Sequence, residues 1–102
     1  MTDDMVNGAV VCDLSAIPSD QRALHIALGK FLLANTVVAE RDDEVQFEIG
    51  GDRLGDVVCF ISNERLCCRH LSFALEVRAR GGNLSLRISG PGVRDELHAL
   101  VR

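Results

Sequence analysis

The chain contains no tryptophan, no tyrosine and one lysine, Lys30, among its 102 residues. Its four aromatic residues are all phenylalanine, and its basic residues are scattered rather than clustered. Binding to a nucleic-acid backbone needs clustered Lys and Arg, and single strands also need aromatic stacking surfaces. Together with the formal net charge of −4, these absences exclude nucleic acid as the expected partner.

The sequence also lacks an apolar run long enough to cross a bilayer, and its first residues are acidic rather than basic as in a signal peptide. We therefore expect a cytoplasmic protein with no membrane partner. Four cysteines are too few for a disulfide scaffold, and no C-x-x-C spacing occurs. In a reducing cytosol we expect Cys12, Cys59, Cys67 and Cys68 to be thiols.

Length and composition fit one globular domain, since 47% of the residues are hydrophobic and 25% are charged. We expect a frayed tail over residues 1–8 and a single domain over residues 9–102. Residues 44–49, 72–80 and 84–88 alternate between apolar and polar side chains, which predicts half-buried strands. With residues 37–40 they should form two antiparallel hairpins, and residues 10–14 could add a weak edge strand.

Three helices are predicted, over residues 19–34, 52–68 and 93–101. In the first, Leu24, Ala27, Leu28 and Phe31 share one face and are the expected core stripe. Apolar residues on its opposite face hint at a homodimer. The predicted fold class is α+β, a two-layer sandwich with helices on one face of a mostly antiparallel sheet. Its β-α-β-β-α-β-β-α order corresponds to a ferredoxin-like variant.

Reactive side chains concentrate at the end of the second helix. Cys67 and Cys68 are adjacent, and His70 follows two residues later. Thiolates with an added imidazole suit a soft metal ion, and nearby Arg65, Arg69 and His70 should lower the thiol pKa, which also leaves thiol-redox chemistry open. The plainer interpretation, which we favour from sequence, is that both cysteines simply pack in the core.

Glu64 and Arg65 continue the apolar stripe of the second helix, so both should point inward with Cys68. They could line a ligand pocket as an acid–base or anion-binding pair. Alternatively, they form a structural ion pair, because a buried charge needs a partner.

The run Asn63-Glu64-Arg65-Leu66-Cys67-Cys68, with residues 12–18, 73–77 and 86–91, resembles a family of small uncharacterised bacterial proteins with an N-E-R-x-C-C motif. The resemblance covers most of the chain after residue 8. Members sometimes lie beside mercury-resistance genes, which implies soft-metal or thiol stress. Arg69 and His70 replace the proline and aromatic residue that many members carry after the cysteines.

Two functions are therefore expected. The first is a non-enzymatic α+β binding module, homodimeric, with a small-ligand pocket near Glu64, Arg65 and Cys68 and no organic cofactor. The second is a soft-metal or thiol-redox protein acting through Cys67 and Cys68, with His70 as a further metal ligand.

Overall fold

The computed structural model describes residues 13–101, and Cys12 and the predicted tail over residues 1–8 lie outside this range. Four strands form one sheet: β1 (Val37–Arg41), β2 (Glu44–Ile49), β3 (Ser72–Val77) and β4 (Leu84–Ser89). Three α-helices accompany them: α1 (Arg22–Leu33), α2 (Leu54–Cys67) and α3 (Val93–Val101). None of these helices has the length and apolar character needed to cross a membrane.

The sheet has the order β1-β2-β4-β3, and each neighbouring pair is antiparallel. The predicted hairpins are β1–β2 and β3–β4, and pairing of β2 with β4 joins them. The α+β class is thus confirmed. Of the predicted edge strand over residues 10–14, residues 10–12 lie outside the described part of the chain. Leu14 begins a short 3-10 helix, Leu14–Ala16, instead of a strand.

The core lies between the sheet and the helices, as the alternation along the strands predicts. Side chains directly paired across β2 and β4 are buried: Val45 with Ile88, Phe47 with Leu86, and Ile49 with Leu84. The residues between them on β2 are only partly buried. One face of the sheet therefore carries the core, and each fully buried large apolar side chain contributes about 1.5–3 kcal/mol.

The predicted core stripe of α1 is wrong at three of its four positions: Leu28 packs against the core, whereas Leu24, Ala27 and Phe31 are exposed. Leu24 and Phe31 are 62% and 55% exposed, and the buried positions are His25, Gly29, Leu32 and Leu33. The guanidinium group of Arg53 lies over the Phe31 ring, with its central carbon 4.4 Å from the ring centroid. One residue corresponds to about 100° of helix rotation, so the helix presents a face adjacent to the expected one.

Gly29 explains why this face of α1 points inward. A Cβ atom at Gly29 would lie 2.9 Å from both Phe60 of α2 and Leu100 of α3. A side chain at this position would force Phe60 or Leu100 to shift, so glycine lets both of them pack directly on the α1 backbone. This close approach also brings His25, one turn earlier, against α2.

On α2 the buried positions are Val57, Phe60, Glu64 and Cys67. Val58 is 49% exposed, and Arg65, which was expected to point inward, is exposed as well. Helix α3 has the predicted bounds, and it buries Val93 and Leu97.

Candidate metal-binding site

Glu64 is the buried carboxyl group on which the site is built. It lies one turn after Phe60 on the inward face of α2 and is only 5% exposed. Burying an unpartnered carboxylate costs several kcal/mol, on the order of the penalty known for isolated ions in proteins, so this position requires polar contacts. The structure supplies them from α1 and from the end of α2.

His25 of α1 is the closest partner of Glu64. Its Nε2 atom lies 2.7 Å from Glu64 Oε1, and the imidazole is 2% exposed. The ring stacks on Phe60, with centroids 5.1 Å apart and planes 12° from parallel. Its Nδ1 atom is buried without a hydrogen-bond partner among the described residues. A neutral imidazole that donates from Nε2 therefore keeps a buried, unused lone pair.

Helix α2 ends at Cys67, and this ending decides how the adjacent cysteines are arranged. Cys68 leaves helical geometry at φ −116° and ψ 74°, while its N–H still donates to the Glu64 carbonyl. As a result, the two Sγ atoms lie only 3.4 Å apart. Cys67 Sγ is 3.6 Å from Glu64 Oε1, and Cys68 Sγ is 3.5 Å from Glu64 Oε2.

The four cysteines do not share one chemical state, contrary to the expectation that all are thiols. Cys59 is an exposed free thiol and Cys67 a buried free thiol. Cys68 is disulfide-bonded.

The pKa of the Cys67 thiol is raised from 9.0 to about 12, first by burial and then by the charge and hydrogen bond of Glu64. The expected lowering by Arg65, Arg69 and His70 is wrong for Cys67. Burial disfavours the thiolate, and the nearest charge is a carboxylate rather than a guanidinium. The charge of Glu96 raises the Cys67 pKa further.

A pocket of about 310 Å³ opens over these groups where the three helices meet. Helix α1 contributes His25 and Lys30, α2 contributes Glu64 and Cys67, and α3 contributes Glu96. The pKa of the Glu96 carboxyl group is raised overall. Burial is the largest cause; the hydrogen bond and charge of His70 act in the opposite direction, and the charge of Glu64 raises the pKa further. Glu64 and Glu96 both raise the pKa of Cys67. The pocket therefore has a negative electrostatic potential, which would favour a cation.

The structure brings together three side chains that could serve as metal ligands: His25, Glu64 and Cys67. One ligand atom from each lies within 4.8 Å of the other two, and all three residues are buried. In tetrahedral zinc sites with Zn–N and Zn–O of about 2.0 Å and Zn–S of about 2.3 Å, neighbouring ligand atoms are about 3.3–3.5 Å apart. The Cys67–Glu64 distance of 3.6 Å fits, and the His25–Glu64 distance of 2.7 Å must open slightly.

The other residues expected at the site lie nearby but in different roles. His70 pairs with Glu96, whose side chain is 18% exposed and lines the same pocket. Arg65 lines a separate depression with Phe73 and does not contact this pocket. Only Glu64 of the three predicted pocket residues lines it, and Cys67 does so in place of Cys68.

His25 and Glu96 were missed by sequence reasoning. No partner for His25 is visible near it in the sequence, which favours a surface or packing role. One signal was present: His25, Gly29, Leu32 and Leu33 also follow the i, i+4, i+7, i+8 spacing of a buried helix face. For Glu96 no comparable pattern distinguishes it from other acidic residues.

Comparison with known proteins finds no matching family model, no matching curated protein and no matching solved structure. The resemblance to the N-E-R-x-C-C family therefore stays a prediction from the residues that carry it.

The raised pKa of Cys67 predicts a loss of stability at alkaline pH. The unfolded thiol ionises near pH 9, whereas the folded thiol keeps its proton up to about pH 12. Between these values the native state binds more protons, so the free energy of unfolding falls as pH rises. Urea unfolding at pH 8 and at pH 10 should show that the free energy of unfolding decreases less between these pH values for Cys67→Ala than for the wild type.

Cys59→Ala is the matched control on the same helix, because Cys59 is exposed. It should retain the alkaline decrease of the wild type. Equal decreases in the wild type and Cys67→Ala would show that this thiol is not held in its protonated form by the fold.

Proposed function

We propose that this protein is a binding module for a divalent transition-metal ion such as Zn²⁺. The observation that carries the proposal is the convergence of an imidazole, a carboxyl group and a thiol within 4.8 Å, all buried at one pocket. Three protein ligands of this kind leave one coordination position for water or a further ligand. The pocket over the ligands supplies the space for it.

The donor set favours a borderline or soft cation over Mg²⁺ or Ca²⁺. Imidazole and thiolate suit Zn²⁺ and its neighbours, whereas Mg²⁺ and Ca²⁺ prefer oxygen ligands alone. The carboxyl groups of Glu64 and Glu96 add negative charge around Cys67. In the metal-free protein that charge holds a proton on sulfur, and a dication would replace this proton.

The ring of His25 also supports this proposal. Its Nε2 atom lies 2.7 Å from Glu64 Oε1, so this is the ring nitrogen that faces the other two candidate ligands. Phe60 fixes the ring orientation by stacking, which restricts where a metal can approach it.

Direct Zn²⁺ titration of freshly reduced protein against a chromophoric chelator tests the proposal. We expect one ion per chain, and a loss of affinity of about 100-fold or more in Glu64→Gln and in Cys67→Ser, since each removes a ligand. The wild-type affinity should rise with pH by about tenfold per unit between pH 6 and 8, because binding releases the Cys67 proton. Cys67→Ser should lose that slope.

Glu76→Gln and Cys59→Ser are the matched controls, because both residues are exposed, and both should bind like the wild type. Absence of Zn²⁺ binding by the wild type, or unchanged binding by both site variants, would contradict the proposal. If the site variants fail to fold, the Co²⁺ spectrum of the wild type decides, since a sulfur-to-cobalt charge-transfer band requires a cysteine ligand.

We also propose a homodimer in the cytoplasm. The most exposed large apolar residues of the helices are Leu24 and Phe31 on α1 and Val58 and Leu66 on α2. Exposed large apolar side chains such as these are candidates for an interface between copies. Light scattering should give twice the 11.1 kDa chain mass, and Leu24→Glu should shift it toward the monomer. A wild-type mass of one chain at working concentration would contradict the dimer.

A further inference from the structure

Strand β3 is an open edge of the sheet. It is the last strand in the order β1-β2-β4-β3, and it pairs with β4 in continuous register from Ser72 to Val77. Among the described residues, no backbone hydrogen bond joins the other side of β3 to another element. The outward N–H and C=O groups of this edge can therefore pair with a further strand.

The opposite edge, β1, has features that obstruct such pairing. Its register with β2 shifts between Val37 and Ala39, and the strand ends in the charged residues Glu40 and Arg41. Bulges and charged side chains are common means by which proteins prevent a strand from adding to an edge. Strand β3 has one charged residue, Glu76, and no shift interrupts its pairing.

The helices cover the core-facing side of β3 incompletely. Phe73 and Leu75 are half-buried, whereas their partners on β4, Ile88 and Leu86, are fully buried. Val77, at the end of the strand, is 53% exposed. Cross-strand neighbours on one face of a sheet contact each other, so a strand with apolar side chains on this face would cover these residues further.

A depression of about 360 Å³ lies between α2 and β3, next to Phe73. Ile61, Leu71 and Phe73 give it apolar walls. Arg65 lines the same depression and adds a positive charge. The depression therefore suits an apolar side chain of an added strand, with a carboxylate nearby.

On the open face of the sheet a second depression, of about 210 Å³, includes Ala74. Arg87, the partner of Ala74 on β4, also lines it. A strand added beside β3 would lie about 10 Å from β4, two strand spacings away. Because alanine is small, the long Arg87 side chain can extend across Ala74 toward a carboxylate on that strand.

Two arginines thus flank the β3 edge, Arg65 on the helix side and Arg87 on the open face. Neither forms an ion pair with a carboxylate in the described part of the chain, unlike Arg78. The charge of Glu76 is offset by Arg78, which lies 3.8 Å from it. In a chain of net charge −4, this edge therefore offers unneutralised positive charge to a partner.

We propose that the β3 edge and α2 form a docking site for an extended acidic segment of a partner protein, which joins the sheet as a further strand. Its apolar side chains lie beside Phe73 and Leu75, and its carboxylates lie within reach of Arg65 and Arg87. In this mode of recognition backbone hydrogen bonds supply affinity and alternate side chains supply specificity. The inference is independent of the proposed metal-binding function, because the edge contains none of the candidate ligands.

Fluorescence anisotropy with a labelled peptide tests the proposal, since the protein has no Trp or Tyr to report binding itself. The probe is a peptide of about eight residues in which valine and glutamate alternate. We expect it to bind at least fivefold more tightly than the same peptide with glutamine, and the version with lysine should not bind. Methylation of one alternate set of peptide N–H groups should abolish binding, and methylation of the other set should leave it intact.

Variants of the edge supply the second test. Arg65→Ala and Arg87→Ala should each weaken binding by about threefold to fivefold, as expected for exposed ion pairs. Ala74→Glu should weaken it more, because it places a carboxylate beside Arg87 and fills the depression. Arg41→Ala on β1 is the matched control, since Arg41 is also exposed and without an ion pair among the described residues, and it should bind like the wild type.

Amide hydrogen exchange locates the bound peptide. We expect slower exchange in Ser72–Val77 and no change in Val37–Arg41. Protection of β1 instead of β3, or equal binding of the glutamate, glutamine and lysine peptides, would overturn the proposal. So would protection of β3 that grows with protein concentration in the absence of peptide, because the edge would then pair with a second copy of the chain.

Discussion

The buried contact between Glu64 and His25 is the constraint on which the helical layer depends. It joins α1 to α2 at 2.7 Å, within an otherwise apolar interior. Removing His25 leaves the buried Glu64 carboxyl with only the weak thiol donor of Cys67, and removing Glu64 takes away the partner of the His25 Nε2 atom; either change is destabilising. To make this contact α1 turns His25 inward and exposes Leu24 and Phe31. The polar pair and the close helix approach at Gly29 thus act together in burying this face of α1.

The same contact gives the pocket its chemical character. Glu64 accepts hydrogen bonds from two sides and places its charge beside Cys67, whose thiol it keeps protonated. Cys67 therefore holds a proton that a dication would replace. In the proposed metal site folding and metal binding would be linked, because the groups that stabilise the metal-free protein through hydrogen bonds are the ones a metal would take over.

The sheet and α3 follow from local patterns, whereas the site does not. Alternation along β2 and β4 predicted the core residues of the sheet because each strand has one buried face. For α1 the apolar spacing predicts a core stripe that includes Leu24 and Phe31. A pattern within one helix carries no information about the contact of His25 with Glu64, 39 residues away in the sequence. Glu64 itself was predicted to point inward. The position of Cys67 depends on the residue at which α2 ends, and sequence patterns locate a helix end only to within one or two residues.

X-ray absorption at the zinc edge of freshly reduced, Zn²⁺-loaded protein tests the central claim most directly. The account predicts a mixed first shell, with sulfur at about 2.3 Å and nitrogen or oxygen at about 2.0 Å, and outer-shell scattering from an imidazole. A shell of oxygen and nitrogen without sulfur would contradict it. So would a shell of sulfur alone, because neither result allows His25, Glu64 and Cys67 to hold one ion.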